Sequence, residues 1–133
     1  RRSLEAYALG RWADVRRKGK HAYTRNVIAL GDFNLPKVEP GDPVFDALCK
    51  RGLVLPLHST QIASSIATDN RYDQIAFFPG EVRQRATGAL GVFDFDGAVF
   101  GDLWQARGRD DFLAYVRNYL SDHRPLWAEF STT

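Results

Sequence analysis

Three short groups of polar residues lie where apolar segments end or begin, and their types suit phosphoester chemistry. The first group is Asp32 with Asn34, the second is Asp73, and the third is Asp122 with His123. Carboxylates are ligands of hard divalent cations, an amide can orient a water or a phosphate oxygen, and an imidazole exchanges protons near neutral pH. Together these groups are the residue types that metal-assisted phosphoester hydrolysis requires.

Each group taken alone also has a structural interpretation. An Asp-x-Asn pair after a strand is typical of a turn, because both side chains bond to backbone amides. Asp73 could pair with a nearby arginine, Arg71 or Arg83. A lone histidine such as His123 is more often a surface residue than a catalyst. The chemical interpretation therefore depends on whether the fold brings the three groups together.

Apolar segments predict the strands that would position these groups. The run Val27–Leu30, closed by turn residues, predicts a strand buried on both faces with Asp32 at its carboxyl end. Open α/β sheets bind their ligands at that edge. The segment Arg71–Phe78 predicts a second strand, in which Ile75–Phe78 is again buried on both faces. A last strand, with one face better buried than the other, is predicted over Pro125–Phe130.

Helical spacing of apolar residues predicts three helices around these strands. One helix begins at Asp42, whose carboxylate would cap it, and ends near Gly52. Another runs from Arg109 to Leu120. The first helix runs from Leu4 to about Arg17 and is expected to pack on the core through one apolar stripe, which consists of Leu4, Ala8, Trp12 and Val15.

The segments between these elements are less regular. A short strand could form over Leu53–Leu57, and the polar stretch His58–Asn70 is typical of a loop. The segment Gly91–Phe100 could form a hairpin or a tightly packed loop. His58 and His21 are expected to be surface residues.

The end of the first helix is strongly basic. It carries Arg16, Arg17, Lys18 and Lys20. Cations there suit the negative pole of the helix dipole. A solvated basic cap is therefore favoured over a phosphate-binding patch.

Composition indicates one globular domain. The chain has 133 residues, 44% of them hydrophobic, and a formal net charge of +2, which permits a nucleic-acid partner without arguing for one. Its single cysteine, Cys49, excludes an internal disulfide and is expected to fill the core. No stretch is long and apolar enough to cross a membrane. The sequence leaves the compartment open, with a soluble cytoplasmic protein favoured. The first residue is Arg1, which suggests a fragment, a processed form or a truncated protein.

Three motifs occur in an order that resembles a known superfamily. They are GDFN at Gly31–Asn34, YDQI at Tyr72–Ile75 and SDHRP at Ser121–Pro125. In this order and at these separations they resemble the endonuclease/exonuclease/phosphatase superfamily and its DNase I-like branch. The resemblance covers essentially the whole chain, as a single domain over residues 1–133. It implies an α/β fold of the α+β sandwich type: half of a DNase I-like four-layer α/β-sandwich, with one mixed sheet and helices on its outer face.

The resemblance also implies roles for residues in the motifs. Asp32 would position the attacking water, and Asn34 would hydrogen-bond to that water or to a phosphate oxygen. His123 would contact the scissile phosphate as a proton donor or electrostatic stabiliser. Asp73 would accept a hydrogen bond from the His123 ring and favour its charged form. Asp122 would be a ligand of Mg²⁺ or Mn²⁺, together with Asp32.

Substrate contacts are implied less specifically. Thr68 falls where DNase I-like enzymes place a phosphate-contacting threonine, and Arg71 is one of several basic residues suited to a phosphate group. DNA or another phosphodiester is the expected substrate. A phospholipid head group or an inositol phosphate would suit these residues nearly as well.

The chain corresponds only to the C-terminal half of the family domain. The other half normally supplies the principal metal-ligand Glu, for which this sequence has no candidate, so Mg²⁺ would be weakly held. A half-sandwich also implies a homo-oligomer, or a missing N-terminal half, that covers the inner face of the sheet. The alternative to a phosphodiesterase or nuclease is a catalytically silent half-domain or binding module.

Overall fold

The computed structural model describes residues 1–132, which form a mixed α/β structure of the α+β type. This part of the chain contains five helices and four strands, which alternate except that α4 is followed directly by α5. In order they are α1 (Arg2–Lys18), β1 (Ile28–Asp32), α2 (Pro43–Cys49), β2 (Asp73–Phe77), α3 (Glu81–Arg85), β3 (Ala86–Val92), α4 (Phe95–Arg107), α5 (Arg109–Tyr119) and β4 (Leu126–Phe130).

The strands form two small antiparallel sheets instead of the single mixed sheet expected from the sequence. β1 pairs with β2, and an isolated bridge from Val54 adds to the other edge of β2 at Phe77. β4 pairs with β3, in a register that places Leu90 opposite Ala128. The difference arises because the segment containing β3, which is rich in Gly and Ala and has a weak strand pattern, supplies the partner of β4.

Helices α1 and α2 cover one face of the first sheet and form the main core with it. Ala13 of α1, Leu48 of α2 and Ala76 of β2 are fully buried there. The two helices approach closely at Gly10, where an added Cβ would lie 2.5 Å from the carbonyl oxygen of Leu48. The start of α2 is as predicted, because the side chain of Asp42 accepts hydrogen bonds from the next helical amides.

The prediction for the packing face of α1 is wrong. The helix faces the core through its small residues, among them Ala6 and Gly10, because α2 passes too close for larger side chains. The apolar stripe lies on the opposite side of the helix, and Trp12 within it is 60% exposed. α1 therefore leaves an apolar stripe uncovered in the described part of the chain.

The second sheet packs on the other face of β2. Ile75 and Phe77 are buried there against Leu126 and Phe130 of β4. The predicted burial of Ile75–Phe78 on both faces is confirmed. The matching prediction for Val27–Leu30 is wrong: β1 is an edge strand that β4 does not cover, and its Leu30 is 71% exposed.

A third cluster joins α4, α5 and the preceding loop. Phe112 and Val116 of α5 are fully buried, and the Trp104 ring of α4 lies 4.8 Å from that of Phe112. The predicted helix over residues 109–120 is confirmed. The hairpin or loop expected over residues 91–100 is wrong for its second half, where Asp94 caps α4 by accepting a hydrogen bond from the Gly97 amide.

No helix among residues 1–132 is both long and apolar enough to span a membrane.

Candidate functional site

The His123 ring makes a short hydrogen bond with the Asp73 carboxylate. Nδ1 of His123 lies 2.7 Å from Oδ2 of Asp73, and the two residues are 50 positions apart in the sequence. The hydrogen bond expected between them is therefore present. Both side chains are partly shielded from solvent, with 33% of the His123 side chain exposed. A contact of this length orients the ring and places the proton of Nδ1 against the carboxylate.

The pairing of β1 with β2 brings Asp32 to the same place. Asp32 is the cross-strand partner of Asp73 at the end of the ladder, and the next amide, that of Phe33, donates to the carbonyl oxygen of Tyr72. Directly paired residues of an antiparallel ladder project from the same face of the sheet. The carboxylates of Asp32 and Asp73 therefore lie side by side.

Asn34 follows in a tight turn. Its φ is +50°, in the left-handed region that Asn tolerates better than most residues, and its amide donates a 2.8 Å hydrogen bond to Oδ1 of Asp32. The turn interpretation of the Asp-x-Asn pair is thus correct for the backbone. It does not exclude a chemical role, because the Asn34 side chain makes no hydrogen bond within the described residues.

A second turn places Asp122 beside His123. The hydroxyl of Ser121 accepts a hydrogen bond from the His123 amide, and the carbonyl oxygen of Asp122 accepts one from Ile66. The Asp122 carboxylate is half-exposed and lies 3.6 Å from Nε of Arg117. This pair is on the surface, so it is weak and the carboxylate is available to other cations.

The loop before β2 holds the strand and the turn together. Oγ of the fully buried Ser64 accepts a hydrogen bond from the Asp73 amide. The carbonyl oxygen of Ser64 accepts one from the backbone amide of Arg124. An isolated bridge pairs Ser65 with His123. One short loop therefore fixes the backbone on both sides of the His123–Asp73 hydrogen bond.

Arg124 anchors this arrangement, and sequence reasoning missed it. Its guanidinium makes two short hydrogen bonds to the Asp96 carboxylate and two more, each 2.9 Å, to the carbonyl oxygens of Ala63 and Ser65. Asp96 is only 2% exposed. The signal available in the sequence was the arginine in SDHRP, but nothing local pointed to Asp96 as its partner.

Electrostatics favour the charged form of His123. Partial burial acts to lower its pKa, but the hydrogen bond to Asp73 and the negative charges of Asp73, Asp32 and Asp122 outweigh burial and raise the pKa above its ordinary value. The three carboxylates singled out in the sequence thus act on one imidazole. The raised pKa favours the protonated ring, whose Nδ1 is hydrogen-bonded to Asp73.

The Arg124–Asp96 pair shows the opposite balance for a carboxylate. Burial acts to raise the pKa of Asp96, but the hydrogen bonds and charge of Arg124 prevail and hold it below its ordinary value. Both groups are therefore charged at neutral pH. The pair is a structural support behind His123 and makes no contact with its ring.

Thr68 and Arg71, the residues implied in substrate binding, lie in the loop that leads to β2. Oγ1 of Thr68 accepts a hydrogen bond from the Asn70 side chain, which also donates to the Tyr72 hydroxyl. Arg71 donates to the carbonyl oxygen of Gln61 and lines a shallow groove of about 400 Å³ with Lys37. Thr68 therefore stabilises the loop in this structure. Lys37 pairs with Glu39 at 3.6 Å, and Asp69 also lines the groove, so the groove carries no excess of positive charge.

His58 is not the surface residue expected from the sequence. Both of its ring nitrogens are buried, and neither they nor Oε1 of the buried Gln74 have a well-formed hydrogen bond within residues 1–132. Burial, with the nearby charge of Arg71, lowers the pKa of His58, and the adjacent Gln74 amide only partly offsets this. The neutral form of the ring is therefore favoured. The ring is carried inward because the next residue, Ser59, is hydrogen-bonded to Leu90 of β3.

The donors near His123 do not form a complete metal site. Within residues 1–132 there is no group of three or more carboxylate, imidazole or thiolate side chains that could hold an ion. Asp32, Asp73 and Asp122 all act on the His123 ring, but they do not come together as the ligands of one ion. Magnesium can bind through one or two carboxylates only when substrate phosphates and waters supply the other ligands.

No protein-family model and no curated protein matches the sequence. The function of the His123 centre has to be inferred from its own geometry. That geometry consists of an imidazole hydrogen-bonded to one carboxylate, with two more carboxylates that favour its charged form.

Proposed function

We propose that the chain is part of a metal-dependent phosphoester hydrolase of the endonuclease/exonuclease/phosphatase superfamily, acting on DNA or another phosphodiester. The observation that carries the proposal is the 2.7 Å contact between His123 Nδ1 and Asp73 Oδ2, next to Asp32 and Asp122. The motifs that contain these residues come from separate parts of the sequence. A structural role for each alone would not require them to converge on one imidazole.

His123 would act on the phosphoryl group through its second nitrogen. Because Nδ1 faces Asp73, the proton on Nε2 is the one available to a phosphoryl oxygen or to the leaving group. The raised pKa of His123 favours the form of the ring that carries this proton. The positive ring would also stabilise the negative charge that grows on the phosphoryl oxygens in the transition state.

Asp32 and Asn34 would position the attacking water. One oxygen of Asp32 is held by the Asn34 amide, which fixes the carboxylate and leaves its other oxygen for a water. The Asn34 amide group could then contact the same water or a phosphate oxygen. Positioning of this kind is the main contribution a protein makes to phosphoryl transfer.

Asp32 and Asp122 would contribute to Mg²⁺ or Mn²⁺ binding, but they cannot hold the ion by themselves. When bound, such an ion would polarise a phosphoryl oxygen. The remaining ligands would have to come from substrate, from water or from another polypeptide segment. Weak metal binding by the isolated chain is therefore part of the proposal.

We propose that the chain is one half of a DNase I-like sandwich, although its strands form two small antiparallel sheets and not one mixed sheet. The face of β1 that carries Ile28 and Leu30 would then be covered by a second copy of the chain or by an N-terminal half of the domain. The exposed Leu30 and Ile28 support this, since an edge strand with apolar side chains readily pairs with another strand. A monodisperse monomer in size-exclusion chromatography that binds no apolar dye would contradict it.

A catalytically silent half-domain or binding module is the second candidate. It is favoured by the lack of a third metal ligand among the described residues. Under this interpretation the His123 centre would bind a phosphate group without cleaving it. The two candidates differ in whether product forms.

The direct test is Mg²⁺-dependent hydrolysis of plasmid DNA and of bis(p-nitrophenyl) phosphate by the purified chain. Activity is expected to be lost in His123→Ala and kept in Lys50→Ala, which removes an exposed side chain at the end of α2, outside the motifs. Equal activity in wild type and His123→Ala would refute the hydrolase assignment. Phosphate binding without hydrolysis in the wild type, lost in His123→Ala, would establish the silent module.

A further inference from the structure

The positive charge of the chain is concentrated in one segment. Residues 11–25 carry six of the 18 Lys and Arg residues and only one of the 16 acidic residues, so the rest of the chain has fewer basic than acidic side chains. This segment comprises the second half of α1 and the loop that leads to β1. A local excess of this size creates an electrostatic attraction for polyanions that a net charge of +2 does not indicate.

The one acidic residue in the segment, Asp14, offsets only part of this charge. Asp14 is buried and forms ion pairs with Arg17, Lys18 and Arg51. Its hydrogen bond to Lys18 and the adjacent positive charges hold its pKa below the ordinary value, against the effect of burial. Arg16 and Lys20 have no acidic partner within residues 1–132.

The unpaired cations line a groove that also contains exposed aromatic rings. The groove lies between the end of α1 and residues 19–27, has a volume of about 590 Å³, and contains no acidic residue. Trp12 and Tyr23 line it together with Arg16 and Lys20. Trp12 is more than half exposed and Tyr23 is fully exposed.

We infer that this groove binds single-stranded nucleic acid. Aromatic faces interleaved with cations are the arrangement by which proteins stack unpaired bases and follow the phosphate backbone. Trp12 and Tyr23 would stack bases, and Arg16 and Lys20 would contact phosphates. The charge favours this ligand over a protein surface of mixed charge, and exposed rings favour unstacked bases over a duplex.

The groove is separate from the His123 centre. Val27 lines it, whereas Asp32 lies at the other end of β1, roughly 17 Å away at about 3.3 Å per residue. Binding here requires neither a metal nor hydrolysis. The inference is therefore independent of the proposed function, and a negative hydrolysis test would not contradict it.

The experiment is fluorescence anisotropy of a fluorescein-labelled dT12 oligonucleotide titrated with the whole chain. We expect a dissociation constant of roughly 1–100 µM and, for two phosphate contacts, a salt slope of about −1.4 in log–log form. Trp12→Ala and Tyr23→Ala should each weaken binding about tenfold. Tyr119→Ala, which removes an exposed tyrosine on α5, is the matched control and should bind like wild type.

Charge reversal tests the phosphate contacts. Arg16→Glu and Lys20→Glu should each weaken binding and reduce the salt slope by about 0.7 or more. Lys50→Glu, at the end of α2 and outside the groove, is the matched control. Circular dichroism of every variant establishes that it is folded.

Three outcomes would overturn the inference. The first is no anisotropy change up to about 100 µM chain. The second is binding that Tyr119→Ala or Lys50→Glu weakens as much as the groove variants do. The third is binding to phosphatidylserine vesicles without binding to dT12. Wild-type binding by His123→Ala is the expected result and separates this test from that of the hydrolase.

Discussion

Asp32 and Asp73 are direct cross-strand partners, so two carboxylates face each other at the end of the β1–β2 ladder. Like charges in directly opposed positions destabilise a sheet. This cost is offset by the His123 ring. The ring is hydrogen-bonded to Asp73, and the charges of both carboxylates favour its protonated form. The two opposed carboxylates would destabilise the sheet by themselves, but they lie beside a ring whose charged form they favour. Local arrangements of this kind are common at functional sites.

Replacing Asp32 with Asn should lower the pKa of His123. The negative charge of Asp32 is one of the interactions that raise this pKa, and Asn is nearly isosteric but neutral. The measurement is an NMR titration of the His123 ring proton in wild type and Asp32→Asn. His21, which is exposed, provides an internal control in the same spectra. An unchanged His123 pKa would mean that Asp32 does not act on the ring.

The His123–Asp73 hydrogen bond should stabilise the fold in a pH-dependent way. A folded-state pKa above the unfolded value of about 6.5 means that protonation favours folding. The contribution is complete below that unfolded value and is lost as pH rises through the folded-state pKa. Asp73→Asn should therefore be most destabilising in acid.

Urea denaturation of wild type and Asp73→Asn at about pH 5.5 and about pH 9 measures this dependence. Because the His123 side chain is one-third exposed, the acid-side difference should be only about 0.5–1 kcal/mol. A difference that grows as pH rises would contradict the sign.

Removing one partner of the Arg124–Asp96 pair should be the most destabilising change near the site. Arg124→Leu leaves a buried Asp96 carboxylate and the carbonyl oxygens of Ala63 and Ser65 without their donors. The expected loss in the free energy of unfolding is about 3 kcal/mol or more. Urea denaturation provides the value.

The double variant Arg124→Leu/Asp96→Leu is the control for this interpretation. It removes the unpaired buried charge and should recover part of the loss. A double variant less stable than Arg124→Leu alone would show that packing, and not the unpaired charge, dominates.

Gly10→Ala should loosen the contact between α1 and α2. The added methyl group would lie 2.5 Å from the Leu48 carbonyl oxygen, so one helix has to move. We expect a loss of about 1–3 kcal/mol in thermal or urea denaturation. Gly101→Ala in α4, where an added Cβ meets nothing within 4 Å, is the matched control and should be neutral or stabilising. Equal effects at the two positions would argue against the close approach.

Elements specified by neighbouring residues could be predicted from the sequence. Asp42 with Pro43 marks the start of α2, the apolar spacing around Phe112 marks α5, and the continuous apolar run Ile75–Phe78 marks a buried strand. Each depends on interactions within one or two turns of the chain or on a local pattern of burial. The positions of the polar groups at the ends of these elements could be predicted as well, because they also depend on local patterns.

The packing partners of these elements were decided only by tertiary structure. Trp12 lies in a regular apolar stripe, yet Gly10 and the small residues beside it face the core, because the closest approach of α1 is to α2. Leu30 belongs to an apolar strand, but its exposure depends on where β4 packs. No local pattern encodes such long-range choices.

The candidate site divides in the same way. The sequence alone gives the residue types of Asp32, Asp73 and His123. These types predict phosphoester chemistry. That Asp73 bonds to His123, and that Asp96 secures Arg124 behind it, follows from contacts between residues 50 and 28 positions apart. Such contacts form only when strands and loops that are distant in sequence close on one another, which is why tertiary structure alone decides them.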